Sequence, residues 1–196
     1  MNNELAIQTL KDCNIIFDKL KINFWLTCGT LLGQQRENDF IAYDKDIDIA
    51  VHIKDFTPQI RNEFIRRGYT LVHTYGTINA GLEVSFRKIN GPKLDIFFMY
   101  DGPGFTMWNA VWIQEAKIQT LYRMATYTYT AFKLGRCTFH GEKYYIPKDS
   151  GKFLEEQYGD WHTLDPNWKW HTSPKNICYT NHFSVKNDPT VFPKES

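Results

Sequence analysis

Three aspartates stand at alternate positions, Asp44, Asp46 and Asp48, in the run YDKDIDI, with Ile47 and Ile49 interleaved. In an extended strand, side chains two apart share a face. Asp46 and Asp48 therefore project together while the isoleucines turn toward a core. Two carboxylates whose Cα atoms lie roughly 6–7 Å apart repel each other unless something neutralises them. The usual remedy is a hard divalent cation with oxygen ligands, typically Mg²⁺ at a site that handles phosphates. A further carboxylate, Asp95, lies inside the apolar run LDIFFMY, where a charge is expensive to bury without a partner or a metal. If its strand lies beside the Asp46–Asp48 strand, three carboxylates converge, able to hold metal and to orient or deprotonate an attacking hydroxyl. Upstream, Gly29-Thr30 ends an apolar stretch. The missing Cβ of Gly29 permits close approach of a phosphate, and the helix expected to follow offers it unpaired N–H groups. This is the chemistry of phosphoryl or nucleotidyl transfer.

Each feature has a plainer reading: a tight turn at Gly29, an exposed strand face at the aspartates, a salt-bridged core residue at Asp95. The aspartates also mimic the start of an EF-hand loop. That reading fails, because Ile49 occupies the required glycine position and Asp55 stands where the bidentate Glu belongs. Taken in this order and spacing, the residues point to a site.

The elements that would position them follow from periodicity. Ala6, Leu10, Cys13, Phe17 and Leu20 recur at helical intervals and predict an amphipathic helix over 3–20. Residues 22–27 read as a short buried strand, 30–35 as a second helix, 36–43 as a loop and 46–53 as the aspartate strand. Thr57 and Pro58 start a helix with Ile60, Phe64 and Ile65 inward, and Gly68 stops it. A strand over 69–74 follows. Leu82, Val84 and Phe86 alternate with Glu83, Ser85 and Arg87, which predicts a half-exposed strand. Asn90-Gly91 turns the chain into the strand over 93–100 that carries Asp95. Beyond 105 the pattern weakens, with one further β element over 138–146. A short helix runs from Asp149 or Ser150 to Tyr158, stopped by Gly159. The order implies an α/β fold, a mixed sheet flanked by helices. Residues 1–159 form the domain, and 160–196 an irregular, aromatic-rich tail packed on it.

Composition narrows the function. With 23 Lys and Arg against 22 Asp and Glu, the chain lacks the basic surplus of a nucleic-acid binder. No run is long and apolar enough to span a bilayer, and MNNELAIQTLKDCN is no secretory signal. The four cysteines include no C-x-x-C pair, so they predict reduced thiols rather than a zinc knuckle. A cytoplasmic protein is expected. His140, His162, His171 and His182 lack metal-type spacing, and Tyr158 and Trp161 read as packing residues.

The run GTLLGQQRENDFIAYDKDIDI, followed by Asp95 on a later strand, resembles the LicD/fukutin family, which has the polymerase-β-type nucleotidyltransferase fold. Tyr43 replaces the more usual Trp and Ala42 the common Pro; neither change removes a ligand. The segment YIPKDSGKFLEEQYGDW, residues 145–161, also resembles that family. The resemblance implies transfer of a phospho-alcohol group, phosphocholine or ribitol phosphate, from a CDP-linked donor to a glycan hydroxyl with Mg²⁺ or Mn²⁺. It implies metal at Asp46 and Asp48, with Asp44 as a further contributor. Asp95 would be the third ligand or the base, and Gly29, Thr30 and Arg36 would contact donor phosphate. Two alternatives stay open: a true nucleotidyltransferase moving a nucleoside monophosphate from an NTP, and a non-catalytic nucleotide- or glycan-binding module.

Overall fold

A computed structural model describes residues 2–187 and 191–192. In chain order the elements are α1 (Asn3–Leu20), β1 (Phe24–Leu26), α2 (Cys28–Arg36), β2 (Asp46–His52), α3 (Gln59–Arg66), β3 (Tyr69–Thr77), β4 (Ala80–Lys88) and β5 (Lys93–Gly102). Then come β6 (Thr106–Gln114), β7 (Leu121–Thr130), β8 (Leu134–Phe139), β9 (Glu142–Pro147), α4 (Ser150–Tyr158) and β10 (Ile177–Val185).

Ile47, Ile49 and Val51 are fully buried, which places β2 in the middle of the sheet. The strand order is β10-β7-β6-β5-β2-β1-β9-β8, with β4 also paired to β5 and β3 to β4. β2 and β5 run parallel in the register Asp46↔Lys93, Asp48↔Asp95 and His52↔Met99. β5 changes its other neighbour along its length. Its first half pairs with β4, Ser85 opposite Asp95, and its far end pairs with β6. The sheet thereby splits into two wings that share β5, and the cleft between them opens beside the aspartates.

α1 buries Ala6, Leu10, Cys13, Ile16 and Phe17, the amphipathic face its spacing predicts. Phe17 meets Phe24 and Phe64, and Phe64 stacks on Phe86, joining both helices to the sheet. At the same corner lies a buried carboxylate with a full set of partners. Asp12 accepts from Arg67 Nη1 at 3.0 Å, Tyr69 Oη at 3.0 Å, Lys88 Nζ at 3.2 Å and Gln8 Nε2 at 3.2 Å. These bonds tie α1 to α3, β3 and β4.

The predicted boundaries of α1 and α4 match within a residue, with Asp149 accepting from Lys152 N to cap α4. Four expectations are corrected. Ile65 is 43% exposed rather than inward, because Ile60 and Phe64 already fill the face of α3 that meets the core. Glu83 and Ser85 are buried, not solvent-facing, because their side of β4 looks into the cleft. The single β element over 138–146 is a hairpin of β8 and β9, turned by His140 and Gly141 at positive φ. The tail is not wholly irregular: β10 pairs antiparallel with β7. Its terminal residues 188–190 and 193–196 lie outside the described residues.

Candidate active site

The site starts from the β2–β5 ladder. Asp46 and Asp48 share one face of β2, and Asp95 stands beside Asp48 across the parallel pair. α2 fixes Asp48 from the other side. Thr30 Oγ1 accepts from Asp48 N at 2.8 Å, and Gly29 N donates to Asp48 Oδ2 at 3.0 Å. The helix N-terminus thus holds a carboxylate, as its dipole favours. Gly29 is needed for another reason. A Cβ there would stand 2.3 Å from Asp44 Oδ2 and 3.3 Å from Asp48 Oδ2, inside the space the carboxylates use.

Asp44, Asp46 and Asp48 each offer an oxygen within 4.8 Å of the others. Among the described residues, no Lys, Arg or His forms an ion pair with Asp44 or Asp48. Burial, then the neighbouring Asp46, pushes Asp44 up to about 7. Burial, then Asp46, Asp44 and Asp95, raises Asp48 well above the usual carboxylate range. An all-oxygen group that repels itself this strongly fits a hard divalent cation such as Mg²⁺ or Mn²⁺. In the group that fits such a cation, Asp44 rather than Asp95 is the third close member.

Asp95 belongs to a neighbouring set. Its Oδ2 pairs with Lys93 Nζ at 2.7 Å, and Lys93 also reaches Asp46 Oδ2 at 3.3 Å. Its Oδ1 accepts from the Ser85 hydroxyl, and Ser85 Oγ meets His73 Nε2 at 2.6 Å. Glu83 lies 3.6 Å from the same nitrogen. Burial pushes Asp95 up to about 6, against the pull of Lys93, and Glu83 up to about 7. Burial lowers His73 to about 4, so its ring is neutral near neutral pH. Burial works against the Lys93 ammonium, yet Asp95, Asp46 and Glu83 outweigh it and hold its pKa above the usual lysine range.

Lys93, Glu83, Ser85 and His73 were not foreseen from sequence. The one signal for Glu83 and Ser85 was their alternation in β4, which reads equally as a solvent face. Of the foreseen phosphate contacts, Thr30 is buried and its hydroxyl serves the β2 backbone, so its place is positional. The Gly29 N–H is likewise taken by Asp48. Arg36 lines the cavity, with Nη2 2.7 Å from Glu37 Oε1.

These groups form the floor of a cavity of about 1110 Å³. Its wall is aromatic: Trp112, Tyr122 and Tyr127 come from β6 and β7, and Tyr158, Trp161 and Trp168 from the end of α4 and the segment after it. Tyr127 Oη donates to Trp170 O, which fastens that segment to β7. Tyr158 and Trp161 therefore face the cleft as well as packing.

Comparison with known proteins bears on the family and the fold. Residues 21–149 match the model of the LicD/FKTN/FKRP nucleotidyltransferase domain. The ribitol-5-phosphate transferase FKTN of Mus musculus is 34% identical over 175 residues, covering 89% of this chain and 35% of that protein. The Homo sapiens FKTN is 33% identical over the same shares. An uncharacterised protein of Rickettsia prowazekii is 25% identical over 79% of this chain and 54% of its own length. The chain thus spans about a third of the length of the FKTN proteins it matches. Among solved structures, the lincomycin-bound lincosamide antibiotic adenylyltransferase LnuA superposes with a TM-score of 0.51. That match covers 90% of this chain and 96% of LnuA at 14% identity, a likeness of fold. The chain belongs to the LicD/FKTN/FKRP family through its nucleotidyltransferase domain.

Proposed function

We propose that this chain is a transferase that moves a phospho-alcohol group, such as ribitol phosphate or phosphocholine, from a CDP-linked donor to a glycan hydroxyl. The observation that carries the reading is the Asp44–Asp46–Asp48 group, three oxygen donors within 4.8 Å with two of them unneutralised, at the floor of a large cleft. Mg²⁺ or Mn²⁺ bound there would neutralise the donor diphosphate and orient it. The family match and the FKTN relatives support the class of group transferred.

The residues divide the work. Asp44, Asp46 and Asp48 would hold the metal, which would supply positive charge to the donor diphosphate. Lys93, and Arg36 at the cavity edge, offer positive charge to phosphate oxygens. Asp95, raised to about 6, is poised near neutral pH to accept the proton of the acceptor hydroxyl. The acceptor oxygen forms a bond to the phosphorus bearing the alcohol, the bond from that phosphorus to the CMP oxygen breaks, and CMP leaves. Most of the rate comes from positioning and charge stabilisation. The aromatic wall suits the apolar faces of sugar rings and supports a reading in which the acceptor would lie above the floor.

The test is product analysis with CDP-ribitol, CDP-choline and NTPs in the presence of Mg²⁺ or Mn²⁺. Release of CMP with the phospho-alcohol on a glycan is expected. Release of pyrophosphate from an NTP, with a nucleoside monophosphate on the acceptor, would replace this reading by nucleotidyl transfer.

A further inference from the structure

We propose that Lys93 is a resident cation whose ammonium holds the place a second metal ion would take, so that the centre works with one divalent ion at Asp44, Asp46 and Asp48. The inference rests on the metal-dependent reading above and specifies the metal count. Two-metal phosphoryl-transfer centres keep their ions about 3.5–4 Å apart, clamping the attacking and leaving oxygens from two sides. Two adjoining sets of ligand atoms are present here: Asp44, Asp46 and Asp48, and His73, Glu83 and Asp95. An ion in the second set would need Asp95, and one between the two sets would take the space between Asp46 and Asp95. Lys93 Nζ already bridges those two, at 3.3 Å from Asp46 Oδ2 and 2.7 Å from Asp95 Oδ2.

Three features make the ammonium hard to displace. Lys93 is the first residue of β5 and stands directly beside Asp46 in the parallel register, so the ladder fixes its Cα. Its side chain is 26% exposed, which leaves little water to receive the charge. The second set is also closed on itself: Asp95 Oδ1 takes the Ser85 hydroxyl, and His73 Nε2 meets Ser85 Oγ at 2.6 Å. An ion entering there would break those bonds as well as the ion pairs. In the first set Lys93 reaches only Asp46, and among the described residues Asp44 and Asp48 form no ion pair. A lysine differs from a metal in consequence: it is a point charge with rotatable donors, tethered to the chain when the nucleotide departs. Lys93 would therefore supply fixed positive charge to the transferred phosphoryl oxygens, beside a single ion held by Asp44, Asp46 and Asp48.

Mn²⁺ binding to the whole chain, followed by electron paramagnetic resonance without donor, tests this directly. The wild type is expected to bind about one Mn²⁺ per chain, Lys93→Arg about one, and Lys93→Met about two. Two ions on the wild type, or an unchanged count in a folded Lys93→Met protein, would overturn the inference while leaving metal-dependent transfer intact. Should Lys93→Met not fold, Lys93→Gln takes its place, with a rise to about two ions expected and an unchanged count overturning the inference. No Mn²⁺ on the wild type would remove the metal-dependent reading itself, and this inference with it.

Discussion

Two regions of this molecule bury carboxylates, and they treat them in opposite ways. Asp12, at the corner of α1, α3, β3 and β4, is met by two cations, a phenol and an amide. The floor of the cleft gathers Asp44, Asp46, Asp48, Glu83 and Asp95 around one ammonium, Lys93. A buried charge is tolerable only when it is paired and hydrogen-bonded. Asp12 meets that condition within the chain, and the floor does not. The first arrangement serves the fold. The second sets carboxylates against one another, and burial with mutual repulsion raises Asp44 and Glu83 to about 7, a cost in stability that a functional site can carry.

The sharpest way to break the comparison is to remove one carboxylate from each region. Asp48→Asn keeps the acceptor oxygen for Gly29 N but removes a proposed metal ligand and an ionisable group that its neighbours repel. Transfer activity is expected to fall by about 10³-fold or more, on the scale of lost electrostatic stabilisation in a water-poor site, while the melting temperature of the metal-free protein holds or rises. Asp12→Ala should do the reverse. It strips partners from Arg67, Lys88 and Tyr69 and should cost about 1–3 kcal/mol of folding stability, with activity per folded molecule kept. Denaturant midpoints beside initial rates separate the two. An Asp48→Asn protein that is inactive because it melts early would erase the distinction.

How much of this was legible in the sequence follows the same division. The core-facing parts were readable, because an apolar stripe at helical or alternating spacing has one interpretation. The helix over 3–20 followed from it; the cap was narrowed to Asp149 or Ser150, and the pairing of the Asp46–Asp48 strand with the Asp95 strand stood only as a condition, which the structure meets. The floor was readable only in part. Alternation in β4 reports that Glu83 and Ser85 share a face, not whether that face meets water or a cleft. His73 sits in a strand next to threonines, and Lys93 follows a turn, where a surface lysine is the ordinary reading. β10 was missed for a different reason. Tyr179, Phe183 and Val185 are exposed, so the strand is held by backbone pairing to β7 rather than by a buried face that patterning could reveal. The Asp44 contribution was seen as secondary because it precedes the strand; the turn that brings it back, with Asp44 N donating to Ile41 O, has no periodic signal.

The smallest expected effect is a pH dependence, and its sign distinguishes the two regions without any mutation. In the unfolded chain, Asp44 and Glu83 release their protons near the ordinary values of 3.8 and 4.5; folded, they hold them to about 7. Between those limits the folded state carries extra protons, so raising the pH strips them from it and stability falls. His73 works the other way. Its ordinary value of 6.5 drops to about 4 on folding, so it adds stability as pH rises across that interval and nothing further above it. From pH 6.5 to about 8 only the floor carboxylates still titrate in this balance, and the melting temperature of the metal-free protein should decline. Each such group contributes at most about 1.4 kcal/mol per pH unit. Excess Mg²⁺ should flatten the decline, because it favours the deprotonated ligands it binds, and Asp44→Asn should remove the share due to Asp44. A metal-free melting temperature that stays level or climbs across this window would mean that the floor is compensated like Asp12, and that its carboxylates are not held in reserve for a cation.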